Sequence, residues 1–259
     1  MSRQARTVRY APERQAELIR VLAEQGRIEA ATAAVALGVT TETVRKDLIT
    51  LEGQGLLRRV HGGAVPAETI SFEPDIASRT EFSNEKNRIA RRALELLPDS
   101  GSVILDAGTT TARLAELIGS DCALRFYVNA LPLALSLVRL PSATVEVLGG
   151  TLRRTTVATV GESVTRTLDL VNVDVAFLGT NGISLERGLT TPSTEEAAVK
   201  RRMAAAAQRR VLLADHSKIG LIKGVQHAEL RDIDVLVTDR LSADQRQRLE
   251  DVGVEVLIA

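Results

Sequence analysis

Residues 105–111, Leu-Asp-Ala-Gly-Thr-Thr-Thr, place one carboxylate, one glycine and three hydroxyls where an apolar run gives way to a helical pattern. A helix starting there offers unpaired backbone N–H groups beside the hydroxyls of Thr109, Thr110 and Thr111. Gly108 lets a ligand approach the main chain, so the chemistry this spacing suits is the binding of an anion. The same turn is also a common way to begin a helix with nothing bound. Neither a Gly-x-Gly-x-x-Gly fingerprint nor a Gly-Lys-Thr P-loop occurs there, which points the anion reading away from dinucleotides and toward a single small phosphate. Asp106, whose charge repels phosphate, is expected to accept hydrogen bonds from the loop or from a ligand hydroxyl.

Other apolar runs end in residues of the same kind: Asn129, Gly149-Gly150, Gly179-Thr180-Asn181-Gly182 and Asp215-His216-Ser217-Lys218. Lys218 could bring a countercharge to an anion held elsewhere on the same edge. Glu195 and Glu196 open a helical run, where they would meet ligand hydroxyls or the positive end of the helix. Asp215, His216 and Ser217 are neighbours in sequence, which does not give catalytic-triad geometry, and no Gly-x-Ser-x-Gly elbow occurs. The three histidines, 61, 216 and 227, lack metal-ligand spacing, and the single Cys122 excludes an internal disulfide framework. Neither a metal nor a cofactor is expected.

The elements that must position these residues follow from periodicity. Helical patterns cover residues 84–98, 111–119, 131–140, 193–210 and 242–253; apolar strand patterns cover 102–106, 123–128, 143–150, 173–179, 211–215, 233–239 and 254–259. Strands this apolar, separated by helices, imply an α/β, Rossmann-like parallel sheet covered on both faces, with ligands beyond the carboxyl ends of its strands.

The first 66 residues are of another type. A helix opens at Pro12, carries Leu18, Val21 and Leu22 on one side and stops at Gly26; a short Ala-rich helix stops at Gly38; a third, with Thr40 or Thr41 as its cap, turns Val44, Leu48 and Leu51 inward. This is the helix-turn-helix layout. Thr43, Arg45 and Lys46 lie off that stripe near the start of the third helix, where a recognition helix makes its base contacts. After Gly55, Arg58-Arg59 and His61-Gly62-Gly63 read as a two-stranded wing whose cations reach phosphates or the minor groove. The chain has no net charge, but residues 1–66 hold ten Lys and Arg against seven Asp and Glu. A three-helix domain docking on a protein, with its cations merely solvated, fits the same pattern. At 259 residues the chain suits one small and one large domain. The expected division is a winged helix-turn-helix at 1–66, a linker at 67–83 and a larger domain at 84–259. No run is apolar for about 18 residues and no signal peptide opens the chain, so a soluble cytoplasmic protein with no membrane partner is expected.

Residues 40–64, Thr-Thr-Glu-Thr-Val-Arg-Lys-Asp-Leu through His61-Gly62-Gly63-Ala64, resemble the DeoR/GlpR family of bacterial transcription regulators. Thr43-Val44-Arg45-Lys46-Asp47-Leu48, Leu51-Glu52, Gly55, Leu57 and Arg59 fill that family's pattern, with Thr32 standing where it more often has leucine. Phe72, Arg79 and Lys86 match its connecting segment. The runs at 105–111, 128–130, 147–153, 173–183, 188–203 and 212–220 resemble its effector domain, which is similar in turn to ribose-5-phosphate isomerase and related enzymes. The resemblance implies an operator-DNA-binding regulator, most simply a repressor of sugar uptake or catabolism, associated with the nucleoid. It also implies a homo-oligomer, dimer or tetramer, and a phosphorylated sugar on the Gly108–Thr111 turn.

An enzyme of the isomerase kind, with the N-terminal unit as a regulatory head, is the alternative. That chemistry needs a positioned carboxylate base. Where the isomerase pattern has Asp-Gly-Ala-Asp-Glu after its strand, this chain has Leu178-Gly179-Thr180-Asn181-Gly182, and the lysine-glycine turn that follows in the isomerases is missing. Sensing without turnover is therefore expected.

Overall fold

The computed structural model describes residues 10–53, 56–66, 73 and 75–259. Gly55 and Phe72 of the motifs above lie outside the described residues. The chain forms two compact units, Met1–Arg79 and Thr80–Ala259, which divide the expected linker between them.

In the first unit, α1 (Ala11–Gln25), β1 (Ile28–Glu29), α2 (Ala30–Leu37), α3 (Thr41–Gly53), β2 (Leu57–Val60) and β3 (Gly63–Pro66) follow in order. Gly26 and Gly38 end the first two helices with left-handed backbone. Thr40 caps α3: its Oγ1 accepts the Thr43 N–H at 3.1 Å. Leu18, Leu22, Ala34, Leu37, Val44, Leu48 and Leu51 close one core, each large side chain contributing about 1.5–3 kcal/mol on burial. Asp47 stands at the edge of that core, held bidentate by Arg14 at 2.8 and 3.2 Å, which fixes α3 against α1. Thr32 faces solvent and donates to Glu29 at 2.9 Å, so its position asks for no leucine.

The wing is a three-stranded sheet, β1-β3-β2, one strand more than the sequence pattern suggested. His61 and Gly62 make its turn, and Gly62 has φ +84°, a conformation glycine adopts without strain. Gly63 has a different reason to be glycine: a Cβ there would lie 1.7 Å from the backbone oxygen of Ile28. Since neither backbone can yield cheaply, Gly63→Ala should destabilise the first unit by about 1–3 kcal/mol. Chemical denaturation of the full chain, followed by probes in each unit, should show the first transition shifted and the second unmoved.

The second unit comprises α4 (Ser83–Leu94), β4 (Ser102–Leu105), α5 (Thr109–Leu117), β5 (Arg125–Val128), α6 (Leu131–Leu137), β6 (Thr144–Val147), β7 (Thr151–Arg153), β8 (Ala158–Val160) and α7 (Glu162–Leu168). It continues with β9 (Val173–Leu178), β10 (Gly182–Ser184), β11 (Gly188–Thr191), α8 (Thr194–Ala205), β12 (Ala207–Leu213), β13 (Val225–Ala228), β14 (Val235–Thr238), α9 (Ala243–Asp251) and β15 (Glu255–Ile258). Seven strands make one parallel sheet in the order β15-β14-β12-β9-β4-β5-β6. Alternation along β4 shows how it is covered: Val103 and Leu105 meet α4, α5 and α6, while Ile104 packs with residues of α7, α8 and α9 on the other face. An antiparallel sheet, β10-β11-β13, and a hairpin, β7-β8, complete the unit.

One element differs from its sequence pattern. Residues 207–210 continue a helical composition, yet the helix stops at Ala205 and these residues open β12, paired in parallel with β9 from Ala207↔Val173. Arg210 is held there by Asp234 through two bonds of 2.8 Å, which accommodates a charged residue inside a sheet.

Candidate functional site

Strand order reverses direction between β4 and β9: the chain runs outward through β5 and β6, then returns to build β9, β12, β14 and β15 on the other side. Ligands of open α/β sheets bind at such a reversal, beyond the carboxyl ends of the strands. The residues on both sides of it are Asp106 and Gly179.

Asp106 is 1% exposed. Its Oδ2 accepts the Gly179 N–H at 2.9 Å and the ammonium of Lys200, whose Nζ also donates to the Gly179 carbonyl at 3.0 Å. Lys200 comes from α8, where Glu196, Lys200 and Met203 share the buried side with Ala197 and Val199. The buried pair ties the β4-α5 turn to the β9-β10 turn. Sequence reasoning placed Asp106 as a loop acceptor and missed Lys200, although a lysine at a core position of a helical period was a visible signal.

Around this pair the threonines divide. Thr111 is fully buried, and its hydroxyl donates to the carbonyls of Asp106 at 2.7 Å and Gly108 at 3.0 Å, so it shapes the turn from within. Thr109 is half-buried and Thr110 is 9% exposed. Among the described residues no hydrogen-bond partner is found for either hydroxyl, and Gly108, the cap residue of α5, has no side chain to satisfy the first N–H groups. Asn129 is buried behind them: its Oδ1 accepts the Ala107 N–H at 3.1 Å and its Nδ2 donates to the Thr159 carbonyl at 3.3 Å. It positions the turn from the neighbouring strand.

The remaining candidates spread along the same edge. Asn181 is half-buried, and its Oδ1 accepts the Thr191 hydroxyl at 2.9 Å. Gly182 sits where a Cβ would lie 2.5 Å from the Leu221 carbonyl, so two backbones cross closely there. Gly149 and Gly150 are exposed past the end of β6. Lys218 ends a single 3₁₀ turn after β12, half-buried and without an ion-pair partner among the described residues. In that turn Ser217 bonds Asp215, whereas His216 pairs with Asp239 at 2.7 Å and packs edge-on against Phe82, so the three consecutive residues are no triad.

Of the two glutamates opening α8, Glu195 is exposed and Glu196 is buried. Glu196 accepts from Thr156 at 2.6 Å and pairs with Arg153 at 3.1 Å, which clamps the β7-β8 hairpin onto α8. Val157 in that hairpin holds φ +52°, a strained conformation for a β-branched residue. Nearby, Thr180 Oγ1 lies 3.0 Å from His227 Nε2. Burial, together with the positive charge of Lys200, pushes the His227 imidazole well below the usual histidine range and keeps it neutral.

In the first unit, Arg45, Lys46 and Arg58 are exposed, with Arg45 3.5 Å from Glu42 across one helical turn. The hydroxyls of Thr40 and Thr43 lie 2.9 Å apart at the start of α3, beside half-buried Thr41. Arg59 differs from its neighbour. Its side chain donates to Glu52 at 2.6 Å and its N–H to the same carboxylate at 2.8 Å, which holds the Glu52 carboxyl below its ordinary range and fastens the wing to the end of α3. His61 and Gly62 are exposed at the wing tip.

No helix among the described residues is long and apolar enough to cross a membrane, and no cluster of metal-ligating side chains occurs among them. Residues 14–69 match the DeoR-like helix-turn-helix domain, and residues 81–240 match the DeoR C terminal sensor domain. The HTH-type transcriptional regulator GlpR of Haloferax volcanii is 41% identical over 223 residues, covering 85% of this chain and 87% of its own. The HTH-type transcriptional repressor GlcR of Bacillus subtilis is 36% identical over 252 residues, 96% of each chain. Among solved structures, ribose 5-phosphate isomerase A of Methanocaldococcus jannaschii overlaps 53% of this chain and 54% of its own at 17% identity, with a TM-score of 0.40. The winged unit and the sheet unit are thus the two halves of one architecture, and the chain belongs to the DeoR family of transcription regulators.

Proposed function

We propose that this DNA-binding regulator represses a sugar uptake or catabolic operon and that a phosphorylated sugar, bound at the β4-α5 turn, releases it. One observation carries the effector half of the reading: an uncapped helix N-terminus with two unpartnered threonine hydroxyls stands at the strand-order reversal, next to a buried lysine. An ammonium has three donors, and those of Lys200 include two engaged by Asp106 and Gly179. Backbone N–H groups, Thr109, Thr110 and the remaining Lys200 donor suit a phosphate; Lys218, in the turn after β12 on the far side of β9, is assigned the role of an added charge on the same sheet edge. Asn129, Thr111 and Gly179 act by shaping the turn.

Turnover is not part of this reading. Leu178 belongs to the core, Asn181 has its amide oxygen taken by Thr191, and Asp106 is bound by Lys200, so none of these three offers a free carboxylate base, and exposed Glu195 at the start of α8 is assigned to ligand hydroxyls. The DNA half assigns the leading end of α3, with Thr41, Thr43, Arg45 and Lys46, to the major groove and Arg58 and His61 to the backbone. Such a protein works on DNA in the cytoplasm, as a homo-oligomer on repeated half-sites.

The test is a thermal-shift titration of the full chain with fructose 1-phosphate, fructose 6-phosphate, glycerol 3-phosphate and N-acetylglucosamine 6-phosphate, each beside its unphosphorylated parent. At about 100 times its dissociation constant the effector stabilises by about 2.7 kcal/mol. The shift should appear with one ester, be absent with its parent and shrink in Thr110→Val. If no ester raises the melting temperature, the β4-α5 turn is only a helix start and the sensing reading fails.

A further inference from the structure

A cleft of about 390 Å³ lies in the sheet unit where the end of α8 packs on β13. Arg201, Ala204, Arg210, His227, Glu229 and Asp232 line it, and no residue of the β4-α5 turn does.

Two polar groups on its wall have nothing in the protein to meet. Arg202 pairs with Asp169 at 3.1 Å, but its exposed neighbour Arg201 makes no ion pair among the described residues. The second group is the imidazole of His227, 2% exposed. Its Nε2 lies 3.0 Å from Thr180 Oγ1, and the single proton of that hydroxyl is turned to the Gly182 and Thr190 carbonyls at 3.0 and 3.1 Å. Nε2 therefore carries the ring proton and donates it, and the network leaves Nδ1 as a bare acceptor. Nδ1 has no partner among the described residues, yet it is not sealed off: the one buried side-chain atom among them with no partner is Thr238 Oγ1. The opening that Nδ1 meets is the cleft its ring lines.

Charge selects what fits there. The two charges that act on the imidazole are both positive, Lys200 and Arg201. Lys200 is engaged by Asp106, which leaves Arg201 to attract an anion. The other ions of the cleft are already held: Glu229 by Arg231 at 2.6 Å, Asp232 by the Glu229 N–H at 2.8 Å, and Arg210 by Asp234 at 2.8 Å. Held carboxylates still accept from hydroxyls, but they repel a dianion such as a phosphate ester. A carboxylate brings one charge and matches one guanidinium through two parallel bonds.

We propose that this cleft is a second ligand site, for a polyhydroxy monocarboxylate the size of a sugar acid. Its carboxylate lies on Arg201, an adjacent hydroxyl donates to His227 Nδ1, and further hydroxyls donate to Glu229 and Asp232. The bond from His227 to Thr180 joins the site to the Gly179 turn. The inference stands apart from the proposed effector, which carries a phosphate, so either can fail without the other.

The experiment is a thermal-shift titration of the full chain with sodium D-gluconate, beside D-glucose, sodium acetate and sodium chloride at equal concentration. Gluconate should raise the melting temperature and the three controls should not. Arg201→Ala changes an exposed side chain, so without ligand it should melt like wild type. It should bind gluconate about ten- to a hundredfold more weakly, the loss expected for hydrogen bonds to a charged group. His227→Gln keeps a donor for Thr180 and gives up the acceptor, so it too should shrink the shift. No shift with gluconate in wild type shows a cleft that holds only water and overturns the proposal. An Arg201→Ala chain that keeps the full shift places the carboxylate elsewhere and overturns it as well. So does an equal shift with acetate or with glucose, since the hydroxyls or the carboxylate would then go unread.

Discussion

Lys200→Met lowers the unfolding free energy of the sheet unit by about 3–5 kcal/mol, because it leaves the Asp106 carboxylate buried without its cation. The two side chains are 6% and 2% exposed, so water does not screen the loss as it does for a surface pair. For a unit of this size the melting temperature falls by about 6–20 °C. Adding Asp106→Asn should return most of it. Asparagine still accepts the Gly179 N–H, methionine fills the volume of the lysine stem, and no buried charge remains. Urea titrations of the wild type, both single variants and the double variant give the coupling directly. Effects that simply add would show that the pair is not a unit, and the account of the reversal point would be wrong.

The restored double variant separates stability from sensing. Lys200 stabilises two turns, and under the proposed function it also faces the effector's phosphate, so a stable double variant should unfold like wild type and yet show no shift with the sugar phosphate. An effector changes DNA affinity only through its differential affinity for two conformations, and about 1–3 kcal/mol per site is enough for a useful switch. A pair that locks the β4 and β9 turns together is suited to holding one such conformation.

Much of this arrangement was legible in the sequence because it depends on local signals. The change from a continuous apolar run to a helical period located the β4-α5 turn, and Thr40, Gly26 and Gly38 marked helix ends by backbone chemistry that needs no tertiary context. What escaped depends on long-range pairing. Lys200 and Asp106 lie 94 residues apart, and nothing within either segment names the other. Ala207, Gln208, Arg209 and Arg210 are all good or tolerable helix formers; only pairing with β9 makes them a strand, a tertiary override of local propensity. The β10-β11-β13 sheet is built of strands of three and four residues, too short to display a period. Arg59 was assigned to DNA by its neighbours, and its tether to Glu52 becomes visible only when the wing folds back on α3.

That tether sharpens the prediction for DNA. Arg45→Ala with Lys46→Ala should remove base-edge interactions worth about 1–3 kcal/mol per half-site. Arg58→Ala gives up one phosphate, so binding weakens about equally on every sequence and the slope of log affinity against log salt falls by about 0.9 for each phosphate no longer neutralised. Arg59→Ala should behave differently. With the guanidinium engaged by Glu52, its removal frees the wing from α3, and Glu52→Gln should reproduce the defect although it removes a negative charge that DNA would otherwise repel. A direct phosphate role for Arg59 predicts the opposite for Glu52→Gln: tighter binding, from a cation released toward the backbone. Affinities measured across a salt series, on DNA selected by the wild-type protein from a random pool, decide between the two. If the Arg45 and Lys46 double variant keeps wild-type affinity and slope, α3 is not the recognition helix.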